Sequence, residues 1–360
     1  MRPHLPSCVL INDDSDLSKE FVWSLRYSTH CSYYLKDPSL DFFKYKFFSS
    51  IDQYKNKANE SFFYIDSSNG TVSFDVKTCP DNHSGIENKI FNKSFESGVF
   101  NEPSNTLSKY LCSKDKNITE VSYYLLYDFS GEVSIVGTLL KCDDSIVVIN
   151  HNDADLSEIN NLVVSGAQDV ISDDNLLINI RFNIKSNNII KSVVTNQLDH
   201  YELKVLRSVG INLPLVIVQN LYKRKVKTFV LMDIDNVQID KNIEYNNYYN
   251  TIYFDLDETL VWLEQPIEET IALLNKFHNK GFCLKLLTRH KKNIANTLSS
   301  ISVDINVFNE IIKVEDGEKK SQFVTGNSLF IDNEFPERYD VKFNGNVNSI
   351  DLDQLEFINI

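Results

Sequence analysis

The chain of 360 residues is poor in several features that would point to particular functions. It has no Cys-x-x-Cys pair. Its six cysteines, at positions 8, 31, 79, 112, 142 and 283, are scattered, which speaks against a zinc ribbon or dithiol redox motif and reads as free thiols in a reducing cytoplasm. No apolar run approaches the roughly 20 residues needed to cross a bilayer. No long apolar stretch follows the N-terminal Arg2, so neither a membrane span nor a leader is expected. Basic residues are outnumbered: 36 Lys and Arg against 50 Asp and Glu give a formal net charge of -14. That balance argues against the broad basic face that nucleic-acid binding requires. It does not argue against a phosphorylated small-molecule substrate, because a site can be locally positive within an acidic protein. There is no internal repeat and no strong low-complexity tract.

What is present is an ordinary soluble composition, 42% hydrophobic and 24% charged, long enough for two domains. In the first part, "SLDFFKYKFFSSIDQYKNKA" reads as a helix and "SFFYIDSSNGTVSFDV" as a hairpin turning at "SSNG". "TEVSYYLLYD" and "EVSIVGTLLK" alternate about an "FSG" turn, and "NLLINIRFNIKSNNIIKSVVTN" forms a second hairpin. "SEINNLVVSGAQDVI" reads as a helix, and "DHYELKVLRSVGINLPLVIVQNLYKRK" as helix, Gly stop and second apolar segment. "VKTFVLMDIDNVQI" reads as one more strand. The polar stretch 240–250 sets a boundary between domains 1–245 and 246–360.

From residue 251 strands and helices alternate, which predicts a Rossmann-like three-layer α/β domain with a parallel sheet. Sites in such sheets lie at the carboxyl ends of strands. Asp255, Thr288 and Asp332 all fall there. Phosphoryl transfer through a carboxylate needs a nucleophilic Asp, a second carboxylate as acid and base, hard oxygen ligands for Mg2+, and a hydroxyl and a lysine for the phosphoryl oxygens. Asp255, Asp257, Thr288, Lys320 and Asp332 can supply these parts in order.

Those residues sit in four short motifs. "FDLDETLV", "LKLLTRH", "EKKSQFV" and "LFIDNEFPER" resemble, in order and at compatible spacing, the four motifs of the haloacid dehalogenase (HAD) superfamily. The resemblance covers residues 250–360. It implies Asp255 as nucleophile, Asp257 as general acid/base, Thr288 as phosphate binder and Lys320 as partner of phosphate and nucleophile, with Lys319 a weaker substitute. It implies Mg2+ held by Asp255, Asp332 and the backbone carbonyl of Asp257, in a space for one ion between the two carboxylates. Asn333 stands where the family usually carries a second acid, with Glu334 and Glu337 as possible replacements. Gaps of about thirty residues between motifs leave no room for a cap domain. The bare Asp-x-Asp of Asp233 and Asp235 lacks a following crossover helix and reads as a solvated strand end. His278 and His290 read as surface residues. The "RHKK" run at 289–292 reads as a solvated helix start, with a positive rim for phosphorylated substrates as the alternative.

A fainter resemblance covers the earlier part. "TEVSYYLLYDFSGEVSIVGTLLK" and "INIRFNIKSNNIIKSVVTNQLDHYELKVLRSVGINLPLVI" are similar to the later half of an ATP-grasp domain of the carbamoyl-phosphate-synthase-like kind. The departures are marked. Val194 stands at the magnesium-binding Glu and Leu198 at the Arg of that family's motif, although Asn196 remains, and no Gly-rich phosphate loop is present. The resemblance therefore implies a degenerate α+β ATP-grasp-like domain. Together the two resemblances imply a cytoplasmic Mg2+-dependent phosphatase acting on a sugar or nucleotide-sugar phosphate. The alternatives are a decayed two-domain binding or scaffold protein and an ATP-dependent ligase with an accessory HAD domain.

Overall fold

The computed structural model describes residues 249–359 continuously and most of 117–245. Before residue 117 it describes only 9–11, 16–25, 62–66, 73–77, 92–95 and 106–107. The helix expected over residues 39–58 lies outside the described residues, as do Asp235 and Asn196. The chain divides into two units, residues 1–207 with 211–228, and residues 208–210 with 229–360.

In the first unit, β1 (Val9–Ile11) and α1 (Asp16–Leu25) precede β2 (Phe62–Asp66) and β3 (Ser73–Lys77). β2 and β3 pair antiparallel, and β1 adds to β2 in parallel; the expected "SSNG" turn itself lies outside the described residues. Then follow β4 (Asn92–Phe95), β5 (Ile118–Tyr127), β6 (Val133–Cys142), β7 (Ile146–Ile149), α2 (Ser157–Gln168), β8 (Leu177–Lys185), β9 (Asn188–Thr195), α3 (His200–Ser208) and α4 (Leu213–Leu221). The last six strands make an antiparallel sheet in the order β4-β9-β8-β5-β6-β7. Its β5–β6 turn closes on Asp128, whose carboxylate accepts from the backbone N–H groups of Ser130 (2.8 Å) and Glu132 (3.0 Å). Alternation gives this sheet one apolar face. Val121, Tyr123, Leu125, Ile180, Phe182 and Val194 pack there with Ile159, Val163 and Ala167 of α2.

A buried ion pair joins distant parts of this unit. The Arg207 guanidinium on α3 donates through Nε and Nη2 to the two carboxylate oxygens of Glu20 on α1, at 2.7 and 3.0 Å. Both side chains are almost wholly enclosed, so removing one partner leaves an unmatched buried charge. Arg207→Leu should destabilise the chain by about 3–5 kcal/mol. Glu20→Leu with Arg207→Leu should recover most of that loss in denaturant titration.

The second unit begins with an antiparallel pair, β10 (Val237–Ile239) and β11 (Ile243–Tyr245). This differs from the sequence reading twice. No regular strand covers "VKTFVLMD", and residues 229–245 belong with the second unit rather than before its boundary. The reason lies in the backbone bonding. Leu231 donates to Val209 O (2.9 Å) and accepts from Ser349 N (3.2 Å), and Val230, Leu231 and Met232 are buried.

From there the chain runs through β12 (Thr251–Phe254), a two-residue-stranded hairpin β13 (Val261–Trp262) and β14 (Gln265–Pro266), α5 (Glu268–Asn279), β15 (Cys283–Thr288), α6 (Ile294–Ser300) and β16 (Glu310–Lys313). It ends with β17 (Ser328–Ile331), α7 (Phe335–Gly345) and β18 (Asn348–Ile350). Five strands form an all-parallel sheet, β16-β15-β12-β17-β18. Neighbouring residues of a strand point to opposite faces. Tyr253 packs on one face with Val341 of α7, while Phe254 meets Phe277 of α5 on the other. The parallel sheet of this α/β unit is therefore covered by a helix on each face. α7 is a helix that the sequence reading did not foresee. Strand order reverses at β12: the chain goes out to β15 and β16, then returns to β17 on the other side. This switch point opens at the carboxyl end of β12, where Asp255 lies.

Candidate functional site

The register brings the site together. Phe254 pairs with Ile331 in adjacent parallel strands, so Asp255 and Asp332 leave the sheet side by side. Asp255 N–H donates to Ile331 O at 3.0 Å, and Asp332 N–H to Ile350 O at 3.2 Å. Lys320 arrives from a 3-10 turn at Lys320–Gln322. Its ammonium donates to Asp255 Oδ1 (2.8 Å) and to Asp332 Oδ2 (2.7 Å). All three side chains are buried. Lys319, the substitute considered for this role, is exposed and reaches only Asp340, at 3.7 Å.

Two carboxylates and one ammonium leave a net negative charge in a place that water does not reach. Burial pushes the Asp255 carboxyl up to about 7, with the Lys320 ammonium opposing the rise and the Asp332 charge adding to it. Burial also works against the Lys320 charge, but Asp332 and Asp255 outweigh it and hold the ammonium above its ordinary value.

The expectation of free space between the two carboxylates is corrected by this geometry: the Lys320 ammonium bridges Asp255 Oδ1 and Asp332 Oδ2, because it is the counter-charge within reach of both. The other Asp332 oxygen accepts from Glu334 N–H at 2.6 Å. Among the described residues no three His, Cys, Asp or Glu side chains converge as a metal site. Mg2+ does not need such a cage; it is commonly held by one or two carboxylates, with water and substrate phosphate completing the shell. The excess buried negative charge and the oxygen-only donors, Asp255, Asp332 and the Asp257 carbonyl, fit that ion.

Asn333 is not available in the way an acid would be. Its amide oxygen accepts from Thr259 Oγ1 (3.2 Å), its N–H donates back to the same oxygen (3.2 Å), and its side-chain amide donates to Glu258 (3.2 Å). Asn333 thus ties the turn after β12 to the turn after β17. Of the two acids considered as its replacements, Glu337 is committed, accepting from Arg289 Nε at 2.8 Å, while Glu334 meets Asp332 through its backbone N–H.

Thr288 is buried at the end of β15, and its hydroxyl oxygen accepts from His290 N–H at 3.1 Å. The positive rim considered for residues 289–292 is neutralised. Arg289 bonds Glu337 and the carbonyls of Glu315 and Glu318, Lys291 bonds Asp316 (2.6 Å), and Lys292 bonds Glu264 (3.2 Å). His278 is exposed, as expected. His290 corrects its surface reading. It is buried, with Nδ1 at 2.9 and 3.0 Å from the two oxygens of Asp257 and Nε2 at 2.8 Å from Thr297 Oγ1. It lies two residues after Thr288, at the "LTRH" strand end.

Asp233 stays apart from this group. It is exposed, receives the Lys342 ammonium, and its N–H donates to Asn348 Oδ1 at 3.0 Å. The segment between Asp255 and Thr288 holds only the β13–β14 hairpin and α5. That hairpin turns on Leu263 (φ 48°) and Glu264 (φ 62°), left-handed conformations suited to a two-residue turn but costly for these residues. In the first unit a second buried polar cluster centres on Glu202, which accepts from Tyr124 Oη and pairs with Lys141 and Arg181. Burial and then Glu202 push the Tyr124 hydroxyl well above its ordinary pKa.

No protein-family model matches the chain, and no curated protein matches it. Solved structures similar to it include N5-carboxyaminoimidazole synthetase from Staphylococcus aureus complexed with ADP, at 9% identity and TM-score 0.35 over 63% of this chain and 80% of that one. A putative ATP-grasp superfamily protein from Archaeoglobus fulgidus is similar at 10% identity and TM-score 0.33, over 62% of this chain and 90% of that one. The phosphoribosylaminoimidazole carboxylase ATPase subunit from Aquifex aeolicus follows at 9% identity and TM-score 0.33, over 61% and 78%. Likeness at this level assigns no activity.

The charge imbalance has a consequence for stability. The folded Asp255 holds a proton up to about 7 that an unfolded Asp loses near 3.8, so stability should fall as pH rises across that window. In chelator-containing buffer, Asp255→Asn should flatten this slope and raise stability at pH 8. Lys320→Met, which leaves two buried carboxylates facing each other, should lower it by about 3–5 kcal/mol. Denaturant titrations at pH 5 and pH 8 check both.

Proposed function

We propose that the second unit is a Mg2+-dependent phosphomonoester hydrolase of the HAD kind, working through an aspartyl phosphate on a phosphorylated small molecule in the cytoplasm. The observation that carries this reading is the bridge from Lys320 to Asp255 and Asp332 at the switch point of a parallel sheet, with Asp257 two residues beyond Asp255. In this reading the Asp255 carboxylate attacks phosphorus while the bond to the leaving oxygen breaks. Asp257 protonates that oxygen, and afterwards takes a proton from the water that cleaves the aspartyl phosphate. Lys320 and Thr288 hold phosphoryl oxygens. Mg2+, when bound, would offset the repulsion between carboxylates and phosphate, with Asp255, Asp332 and the Asp257 carbonyl as its protein ligands. Asn333 serves as a structural tie, so catalysis does not depend on an acid at that position. A sugar or nucleotide-sugar phosphate is the substrate class that the paired sequence resemblances suggest.

A second reading makes the first unit an ATP-dependent ligase, in line with the ATP-grasp protein among the similar solved structures. One observation weighs on it: Val194, which stands at the metal-binding Glu of the resemblance, is enclosed in the apolar core. Binding of ATP to the full chain, read by calorimetry with Mg2+, separates this reading from the first. A decayed, non-enzymatic chain would bind no ATP and turn over no phosphate ester.

The direct test is turnover of a panel of sugar and nucleotide phosphates with Mg2+. Asp255→Asn should lower turnover by at least about a thousandfold in a folded protein, since the amide is near-isosteric but a poor nucleophile. Asp233→Asn should leave turnover unchanged. Substantial activity in the Asp255→Asn chain would remove Asp255 from its role.

A further inference from the structure

We infer that His290, anchored by Thr297, is the positioning residue that aims Asp257 as the base of the second half-reaction, an inference that rests on the proposed function. Asp257 lies just past the end of β12, and its side chain is 54% exposed, whereas that of His290 is 8% exposed. The buried ring thus grips an otherwise solvated carboxylate. Nδ1 lies 2.9 Å from one Asp257 oxygen and 3.0 Å from the other, a contact that fixes the plane of the carboxylate.

An ionised carboxylate only accepts hydrogen bonds, so Nδ1 carries a proton toward Asp257. That assignment holds for either orientation of the Thr297 hydroxyl. Thr297 lies on α6 and holds Nε2 at 2.8 Å, and its hydroxyl also reaches Asn293 O at 3.2 Å. Asn293 is the N-cap of α6, where its side chain accepts from Asn296 N–H. The ring is therefore pinned at both nitrogens, between the turn after β12 and the first turns of α6.

An ionised Asp257 is the species that can accept a proton from water. In the second half-reaction the water oxygen bonds to phosphorus, the Asp255–phosphorus bond breaks, and the water proton passes to Asp257. In the first half-reaction Asp257 acts as the acid, and a good leaving group needs no proton from it. Loss of His290 should therefore slow hydrolysis of the aspartyl phosphate more than its formation.

Steady-state and rapid-mixing kinetics on the full chain with Mg2+ and p-nitrophenyl phosphate test this. His290→Ala should lower kcat about 10- to 100-fold while leaving kcat/KM within about threefold, because the latter reports only steps through phosphoenzyme formation. It should also give a burst of nitrophenolate and a phosphoenzyme trapped by acid quench. His290→Asn, whose amide N–H can replace Nδ1, should recover most of kcat. Thr297→Val should show a milder form of the same split, and it serves as the test if His290→Ala does not fold. An unchanged or increased kcat, or kcat and kcat/KM falling together, would overturn the inference while leaving the proposed function standing. No turnover by the unmodified chain would overturn the proposed function and this inference with it.

Discussion

The second unit is organised around one buried ammonium. Lys320 lies between Asp255 and Asp332, and each of those carboxylates is fixed by the backbone that delivers it. Neither acid could be enclosed alone, since an isolated buried carboxylate takes up a proton rather than stay charged. The ammonium makes the pair tolerable without neutralising it. Burial, with the Asp332 charge adding to it, accounts for the rise in the Asp255 carboxyl, and the remaining negative charge gives a divalent cation something to bind.

Several nearby features hold this arrangement in place. The reciprocal bonds between Thr259 and Asn333 tie the two turns that carry the acids. Arg338, buried on α7, donates to Asp332 O (2.8 Å) and pairs with Asp351 (2.8 Å). Arg289 draws the 315–318 loop toward the start of α7 through two carbonyls and Glu337. Each spends a cation on geometry rather than on attracting substrate, which is why a basic run at 289–292 leaves no positive rim. Exposed pairs such as Lys292 with Glu264 contribute little by themselves.

The sequence reading of His290 went astray because a lone histidine after a strand carries no sign of burial. What encloses it is α6 folding back so that Thr297 meets Nε2. α7 was missed because its inward face is thin: Arg338 and Val341 are its buried residues. Its punctuation was nevertheless readable, with Pro336 in the first turn and Asn346 closing it in the left-handed region (φ 52°). The segment 225–233 misled in the opposite direction. Its apolar run looks like a strand, but its burial comes from single bonds to Val209 and Ser349 rather than from a ladder.

Local signals were enough for most of the elements. Period-two alternation set β5, β6, β8 and β9, turn chemistry at Asp128 closed a hairpin, and alternating strands and helices after residue 250 gave the parallel sheet and the strand ends on which Asp255, Thr288 and Asp332 sit. These depend on interactions within a few residues, so the sequence carries them directly. The bridging of two acids by Lys320, the commitment of Asn333 to Thr259 and Glu258, and the grip of His290 on Asp257 were decided only by the fold. Each joins groups 12 or more residues apart in the chain. Which polar group meets which is fixed by strand register, and by the need of every buried charge for a partner within hydrogen-bond reach.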